Sequence, residues 1–222
     1  MNAHQHGDPA RPVDPREHWE GFYGAGKRPW TGKPNTILVD AIGDLAAPGR
    51  TALDLGCGSG ADAIWLAEQG WTVTAVDIAE AALDIGRDHA REAGLTGGAI
   101  VWQQADLDTD FPTGTWDLVS ACYLHSTVEL ARADILHKAA AAVAPGGALL
   151  IVGHWAMPAW RFDGDPPAFP SIDDVLADLG VDSVGSEWSI VRTDIVDVPM
   201  TAPDGNPSSR TDTLVHLRRS VS

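Results

Sequence analysis

Residues 52–87 read ALDLGCGSGADAIWLAEQGWTVTAVDIAEAALDIGR, and this stretch decides the fold. The apolar run TALDL (51–55) has the length of a buried strand and stops at three closely spaced glycines, Gly56, Gly58 and Gly60. ADAIWLAEQG (61–70) carries apolar residues at helical spacing up to a glycine stop, and WTVTAVD (71–77) is rich in β-branched residues, as strands are. IAEAALDIGRDHAREAG (78–94) then predicts a helix of good helix formers. A strand, a tight loop, a helix and a second strand make one βαβ unit, whose crossover is right-handed and whose strands are parallel.

The alternation continues outward. AIVWQQAD (99–106), TWDLVSACY (115–123) and GGALLIVGH (146–154) predict three more strands, and ARADILHKAAAAVAPGG (131–147) supplies a helix and a Pro-Gly turn before the last of them. Near the C-terminus SIDDVLADLG (171–180) predicts a helix. EWSIVRTDIVDVP (187–199) and RTDTLVHLRRS (210–220) predict two strands joined by the loop TAPDGNPSS (201–209), an antiparallel hairpin at one edge of the sheet. The fold class is therefore α/β, a doubly wound and mostly parallel seven-stranded sheet with an antiparallel C-terminal hairpin. Residues 1–15, rich in Pro, His and charge, read as a flexible tail, and 16–222 as a single domain. Within it 16–47 form a lid and first helix, 48–155 a ligand-binding core, and 156–222 a substrate loop, helix and edge hairpin.

Composition narrows the class. With 44% apolar and 21% charged residues the chain is ordinary globular protein, and a formal charge of -16 argues against nucleic acid as a routine partner. No apolar run reaches the length of a membrane span, and the start lacks a signal-peptide core. Two cysteines, Cys57 and Cys122, exclude a disulfide scaffold and suit a cytoplasmic protein, monomeric or homodimeric. No clustered metal-ligand set is visible; His4 and His6 lie in the tail, so the expected metal content is none.

The glycine loop lets a ligand approach the backbone, and Asp77, ending the next strand, is placed to accept from ribose hydroxyls. Both features would serve a nicotinamide dinucleotide equally well. Asp54, just before the loop, separates the readings. A carboxylate there repels a pyrophosphate and attracts a cationic amino acid, which S-adenosylmethionine carries together with a sulfonium.

LDLGCGSG (53–60), VTAVDIAE (73–80), QQADL (103–107) and WDLVSACYLH (116–125) together resemble the successive motifs of class I S-adenosylmethionine-dependent methyltransferases, over about Asn35 to Val152. The resemblance implies a Rossmann-like methyltransferase fold with S-adenosyl-L-methionine as cofactor. It implies that Gly56, Cys57, Gly58 and Gly60 line the methionine portion and that Asp77 and Ile78 hold the ribose and flank the adenine. Asp106 would accept from the adenine amino group with Leu107 beside it, and Ala121 and Cys122 would close the pocket. HWEGFYGAGKRPWTGKPNTIL (18–38) is similar to the N-terminal lid of the thiopurine and tellurite-resistance branch, so Trp19, Tyr23 and Trp30 either cover the cofactor or anchor the segment to the core.

On the acceptor side His125 is the candidate base, against a reading as a satisfied histidine, and His154, Trp155 and Trp30 are candidate substrate contacts. Ser120, Ala121, Cys122 and Tyr123 stand where nucleic-acid amino-methylating enzymes carry Asp/Asn-Pro-Pro-aromatic. The Asp165-Pro-Pro run lies after the fifth strand instead, and Cys122 reads as an inert thiol. With MPAWRFDGDPPAFPSIDD (157–174) as a substrate loop, the acceptor is expected to be a small molecule with a nucleophilic oxygen, nitrogen, sulfur or other chalcogen. A non-catalytic S-adenosylmethionine-binding module and a nicotinamide-dependent oxidoreductase are the alternatives.

Overall fold

A computed structural model describes residues 13–25, 32–45, 49–95, 97–162, 167–181 and 187–221. Seven strands form one sheet: β1 (Thr51–Leu55), β2 (Thr72–Asp77), β3 (Ile100–Gln104), β4 (Trp116–Cys122), β5 (Val143–Ala156), β6 (Trp188–Thr201) and β7 (Pro207–Arg219), in the order β3-β2-β1-β4-β5-β7-β6. The first five are parallel, and β7 runs antiparallel between β5 and β6. The helices described are α1 (Pro15–Gly24), α2 (Thr36–Ile42), α3 (Ala61–Glu68), α4 (Glu80–Glu92), α5 (Arg132–Ala141) and α6 (Ile172–Asp178).

Period-two alternation along the strands divides the core in two. Leu53, Leu55, Val119, Leu149 and Ile151 pack with Ile135 and Leu136 of α5 and Val175 and Leu176 of α6. Ala52, Val73, Leu118, Leu150 and Val152 pack on the opposite face with Leu38 and Ile42 of α2 and Leu66 of α3. Both faces of the central strands are covered, which is why β5 carries the unbroken apolar run ALLIV (148–152) and the buried positions of β1 and β4 are apolar apart from Asp54 and Ser120.

The sheet departs from expectation at its two longest strands. The hairpin loop shrinks to residues 202–206, because Pro199–Thr201 and Pro207–Ser209 pair and extend both strands. Gly205 at φ +85° and the Asp204 carboxylate, which accepts from the Asn206 amide, make the tight turn. The expected Pro-Gly turn before β5 is absorbed as an irregularity in its pairing with β4. A side chain at Gly147 would stand 2.9 Å from the Asp117 carbonyl, so only glycine passes there. α1 starts at Pro15, with Asp14 accepting from the Arg16 and Glu17 amides, so the last residue assigned to the tail is the helix's first. Among the described residues no helix is long and apolar enough to cross a membrane.

Candidate active site

The strand order turns back between β1 and β4, and at the carboxyl ends of such strands an open α/β sheet leaves a crevice. The glycine loop lines it. Gly56, Gly58 and Gly60 all have positive φ (66°, 54° and 78°), a conformation that costs little only without a side chain. A Cβ on Gly56 would lie 2.8 Å from Leu124 and one on Gly58 2.7 Å from the Tyr23 hydroxyl. At Gly60 the obstacle is the ring of Trp102, at 2.3 Å. Gly60 and Gly86 together make room for that ring, so Gly60 serves packing where a ligand contact was expected. The Cys57 amide bonds the Val76 carbonyl and the Gly58 amide bonds Asp77 Oδ2 at 2.9 Å, fixing the loop to β2.

Three carboxylates gather behind this loop. Asp54 is 2% exposed; Ser120 Oγ donates to its Oδ1 at 3.1 Å, while its Oδ2 has no partner. Burial, then the neighbouring Asp62, push its pKa up to about 8 against the Ser120 bond. Asp62 accepts the Asn35 amide at 2.6 Å and is also raised by burial. Asp77, 8% exposed, is raised by burial despite accepting from the Gly58 and Ala79 amides. None of the three has an ion pair with a described cationic side chain. Buried carboxylates without a counterion are costly, and a ligand carrying an ammonium and a sulfonium supplies the missing charge. The residues present therefore fit S-adenosylmethionine: Asp54 and Asp62 toward the amino-acid end, Asp77 toward the ribose, Gly56 and Gly58 beneath.

α1 closes over this crevice. Tyr23, 5% exposed, reaches Gly58, and Trp19 and Phe22 pack around it at 6.4 and 5.3 Å, against Ala79 and Ala82. Tyr23 thus meets the glycine loop, while Trp19 anchors the helix to the core. Glu20 carries the connection, its carboxylate accepting from the Glu80 and Ala81 amides (2.7 and 3.1 Å). α4 has Ala79 at its N-cap and no cap of its own, so α1 supplies one. Trp30 lies outside the described residues.

After β3 Asp106 Oδ1 accepts from the Asp108 amide at 3.0 Å and so closes its own turn. Leu107, 6% exposed, packs into the core with Ile135 and Leu136, where a place beside the adenine was expected. The Ile78 carbonyl accepts from Gln104 Nε2 at 3.1 Å.

After β4 lies a polar cluster whose centre the sequence did not reveal. Ala121 is buried beneath it, and the Cys122 and Cys57 thiols are pushed up by burial and the nearby carboxylates, which keeps them protonated. Tyr123 takes φ 54°, unusual outside glycine, and its hydroxyl donates to Asp212 Oδ2 at 2.7 Å. Asp212, fully buried in β7, also takes Arg210 Nε at 2.8 Å and His154 Nδ1 at 2.9 Å. Burial opposes its ionised form, but the bonds from His154, Tyr123 and Arg210 outweigh that and hold its pKa below the usual carboxylate range.

Of the two readings of His125, the geometry fits the satisfied histidine. Its Nε2 accepts the His154 amide at 3.1 Å, and burial, then Arg132 and His154, lower its pKa to about 4. It is neutral with that lone pair engaged, so its geometry is that of a satisfied histidine supporting β5. His154 stacks on Tyr123 at 4.6 Å and on His125 at 5.4 Å, with Phe169 edge-on at 5.5 Å. Trp155 and Trp160 are 42% and 41% exposed beyond them. Glu20, Asn35, Asp62, Tyr123, Phe169, Arg210 and Asp212 were missed by sequence reasoning; a charged Arg-Thr-Asp opening an apolar strand was the one legible signal.

Residues 52–147 match the family described as a methyltransferase domain. The 2-heptyl-1-hydroxyquinolin-4(1H)-one methyltransferase of Mycobacteroides abscessus is 28% identical over 131 residues, 58% of this chain and 56% of that one. The ribosomal protein L11 methyltransferase of Deinococcus radiodurans is 31% identical over 162 residues, 70% of this chain and 56% of that one. The chain thus spans about half the length of the curated relatives it matches. The solved magnesium protoporphyrin IX methyltransferase from Synechocystis, with bound S-adenosylmethionine, superposes with a TM-score of 0.67 at 19% identity, covering 96% of this chain and 100% of that one. The glycine loop, its acid-capped turn and the carboxylates without a described counterion all lie within the segment that matches the methyltransferase domain, and the chain shares the fold of the solved methyltransferase.

Proposed function

We propose that the protein transfers the methyl group of S-adenosylmethionine to a nucleophilic oxygen, nitrogen, sulfur or other chalcogen of a small-molecule acceptor. The observation that carries this is the buried pair Asp54 and Asp77 with the half-buried Asp62, beside the glycine loop and without a described cationic side chain paired to them. A nicotinamide dinucleotide would bring its pyrophosphate against the same carboxylates, which argues against the oxidoreductase alternative. When bound, the donor supplies an electrophilic methyl group on sulfur. The chain contributes alignment and exclusion of water: Tyr23 covers Gly58, and the turn at Tyr123 brings Leu124 onto Gly56.

A small acceptor is supported by the aromatic wall of Tyr123, His154 and Phe169. A net charge of -16 supports an acceptor other than nucleic acid. The name of the Mycobacteroides relative, a hydroxyquinolone methyltransferase, points the same way, whereas that of the Deinococcus relative names a protein acceptor. We place the activity in the cytoplasm, because the two free thiols, Cys57 and Cys122, suit a reducing compartment. Calorimetry with S-adenosylmethionine and S-adenosylhomocysteine tests the reading. Binding of both, lost on Asp77→Ala, is the expected result; failure of the protein to bind either overturns it.

A further inference from the structure

We propose that His154, held by the buried Asp212, is the general base of the reaction and that the acceptor group it deprotonates is the hydroxyl of a small aromatic molecule. The inference rests on the methyltransferase reading above and deepens it.

The geometry of the pair carries the argument. Asp212 lies in β7, fully buried, opposite His154 in the β5–β7 register, and its Oδ1 is 2.9 Å from His154 Nδ1. Arg210 Nε and the Tyr123 hydroxyl bond the same carboxylate, so it stays ionised and cannot rotate away. A carboxylate only accepts, so Nδ1 of a neutral His154 carries the proton and Nε2 carries the lone pair. No described group bonds that Nε2, and 21% of the side chain remains exposed. A histidine oriented through one nitrogen by a buried acid, with the other nitrogen unbonded, is arranged to take a proton.

The surroundings define the acceptor. The groups facing His154 are Tyr123 and His125 from the segment after β4, Arg210 and Asp212 from β7, and Phe169 from the segment before α6. His125 is committed through Nε2 to the His154 amide and so holds the strand from which the base projects. Two rings stacked on the base and a third edge-on to it form an aromatic surround that suits a planar ring. A ring hydroxyl resembling that of tyrosine ionises near 10, so near neutral pH it needs a base to become a good nucleophile. In the step, the hydroxyl proton passes to His154 Nε2, the oxygen–methyl bond forms and the methyl–sulfur bond breaks. The sulfonium charge ends as an imidazolium, which then releases its proton to water.

Two measurements test this. The first needs no acceptor: nitrogen-15 NMR of the imidazoles should show His154 protonated at Nδ1 and bare at Nε2. Asp212→Ala should abolish that tautomer preference, and Asp212→Glu should partly restore it. A His154 ring protonated at Nε2 in the intact protein overturns the assignment. The second measures methylation of phenols, naphthols and hydroxyquinolines of graded hydroxyl acidity by the full chain and by His154→Gln, with donor affinity checked by calorimetry. The variant should bind donor normally and lose about a hundredfold or more in turnover on weakly acidic hydroxyls. It should lose little on hydroxyls already ionised. Equal turnover by both proteins across the series, or donor binding without methylation of any hydroxyl, overturns the inference; absence of donor binding overturns the methyltransferase reading itself.

Discussion

The amide of Gly58 donates to the carboxylate of Asp77 across 2.9 Å, tying the loop after β1 to the end of β2 before any ligand arrives. The other oxygen of Asp77 takes the Ala79 amide at the same distance. The acid assigned to the ribose therefore also builds the crevice that receives it. Asp77→Ala leaves two buried amides unsatisfied, at about 1–3 kcal/mol each. Thermal unfolding should show a clear loss of stability and calorimetry at least a tenfold loss of donor affinity. Asp77→Asn, retaining one acceptor, should recover more of the stability than of the affinity.

Asp54 separates stability from binding. Its folded pKa of about 8 lies above its unfolded value, so ionising it opposes folding. Its contribution is fully favourable below the unfolded pKa and is lost as pH rises toward about 8. Asp54→Asn should therefore raise the melting temperature of the ligand-free protein at pH 8–9. The same variant should weaken donor binding by about tenfold or more, since an amide cannot neutralise an ammonium. A variant that is both less stable at high pH and unchanged in affinity would contradict the site.

The lid is held through Glu20. Glu20→Ala removes the side chain that accepts from the Glu80 and Ala81 amides at the start of α4, a loss of about 1 kcal/mol. Limited proteolysis should cut faster around residues 13–25, and donor dissociation should quicken while turnover chemistry is preserved. Cleavage at the unmodified rate would mean that α1 docks through Trp19, Phe22 and Tyr23 alone.

Packing around the glycine loop yields a prediction that distinguishes its members. Gly58→Ala should be partly rescued by Tyr23→Phe, since the tyrosine hydroxyl is the atom in the way. Gly60→Ala should be indifferent to Tyr23 and respond only to a smaller residue at Trp102, whose ring would otherwise be 2.3 Å from the new methyl group. Melting temperatures of the two double-mutant pairs check this.

His216 gives the protein an acid-sensitive point far from the site. It is 3% exposed with Nε2 unpartnered, and burial, then Arg218 and Arg192, lower its pKa. Its folded form is neutral, so its contribution is intact above the unfolded value near 6.5 and is lost as pH falls below that. His216→Leu should flatten the fall in stability between pH 6.5 and 5, measured by denaturant titration.

The sequence by itself determined the sheet, because burial on both faces makes the central strands predominantly apolar, as in residues 148–152 of β5, and the glycines mark where β1 stops. It also brought Asp54, the glycine loop and Asp77 together, since they lie within one short βαβ stretch, while Asp62 and Glu20 around them were not legible. Only the tertiary structure decided the acceptor side. His154 and Asp212 are 58 residues apart and meet through an antiparallel register that no local pattern encodes. Asp212 sits at a position where burial would forbid an unpartnered charge, and its partners Tyr123, His154 and Arg210 come from three separate strand ends. The same holds for Glu20, an ordinary helix acid until α1 docks and places it on the bare N-terminus of α4.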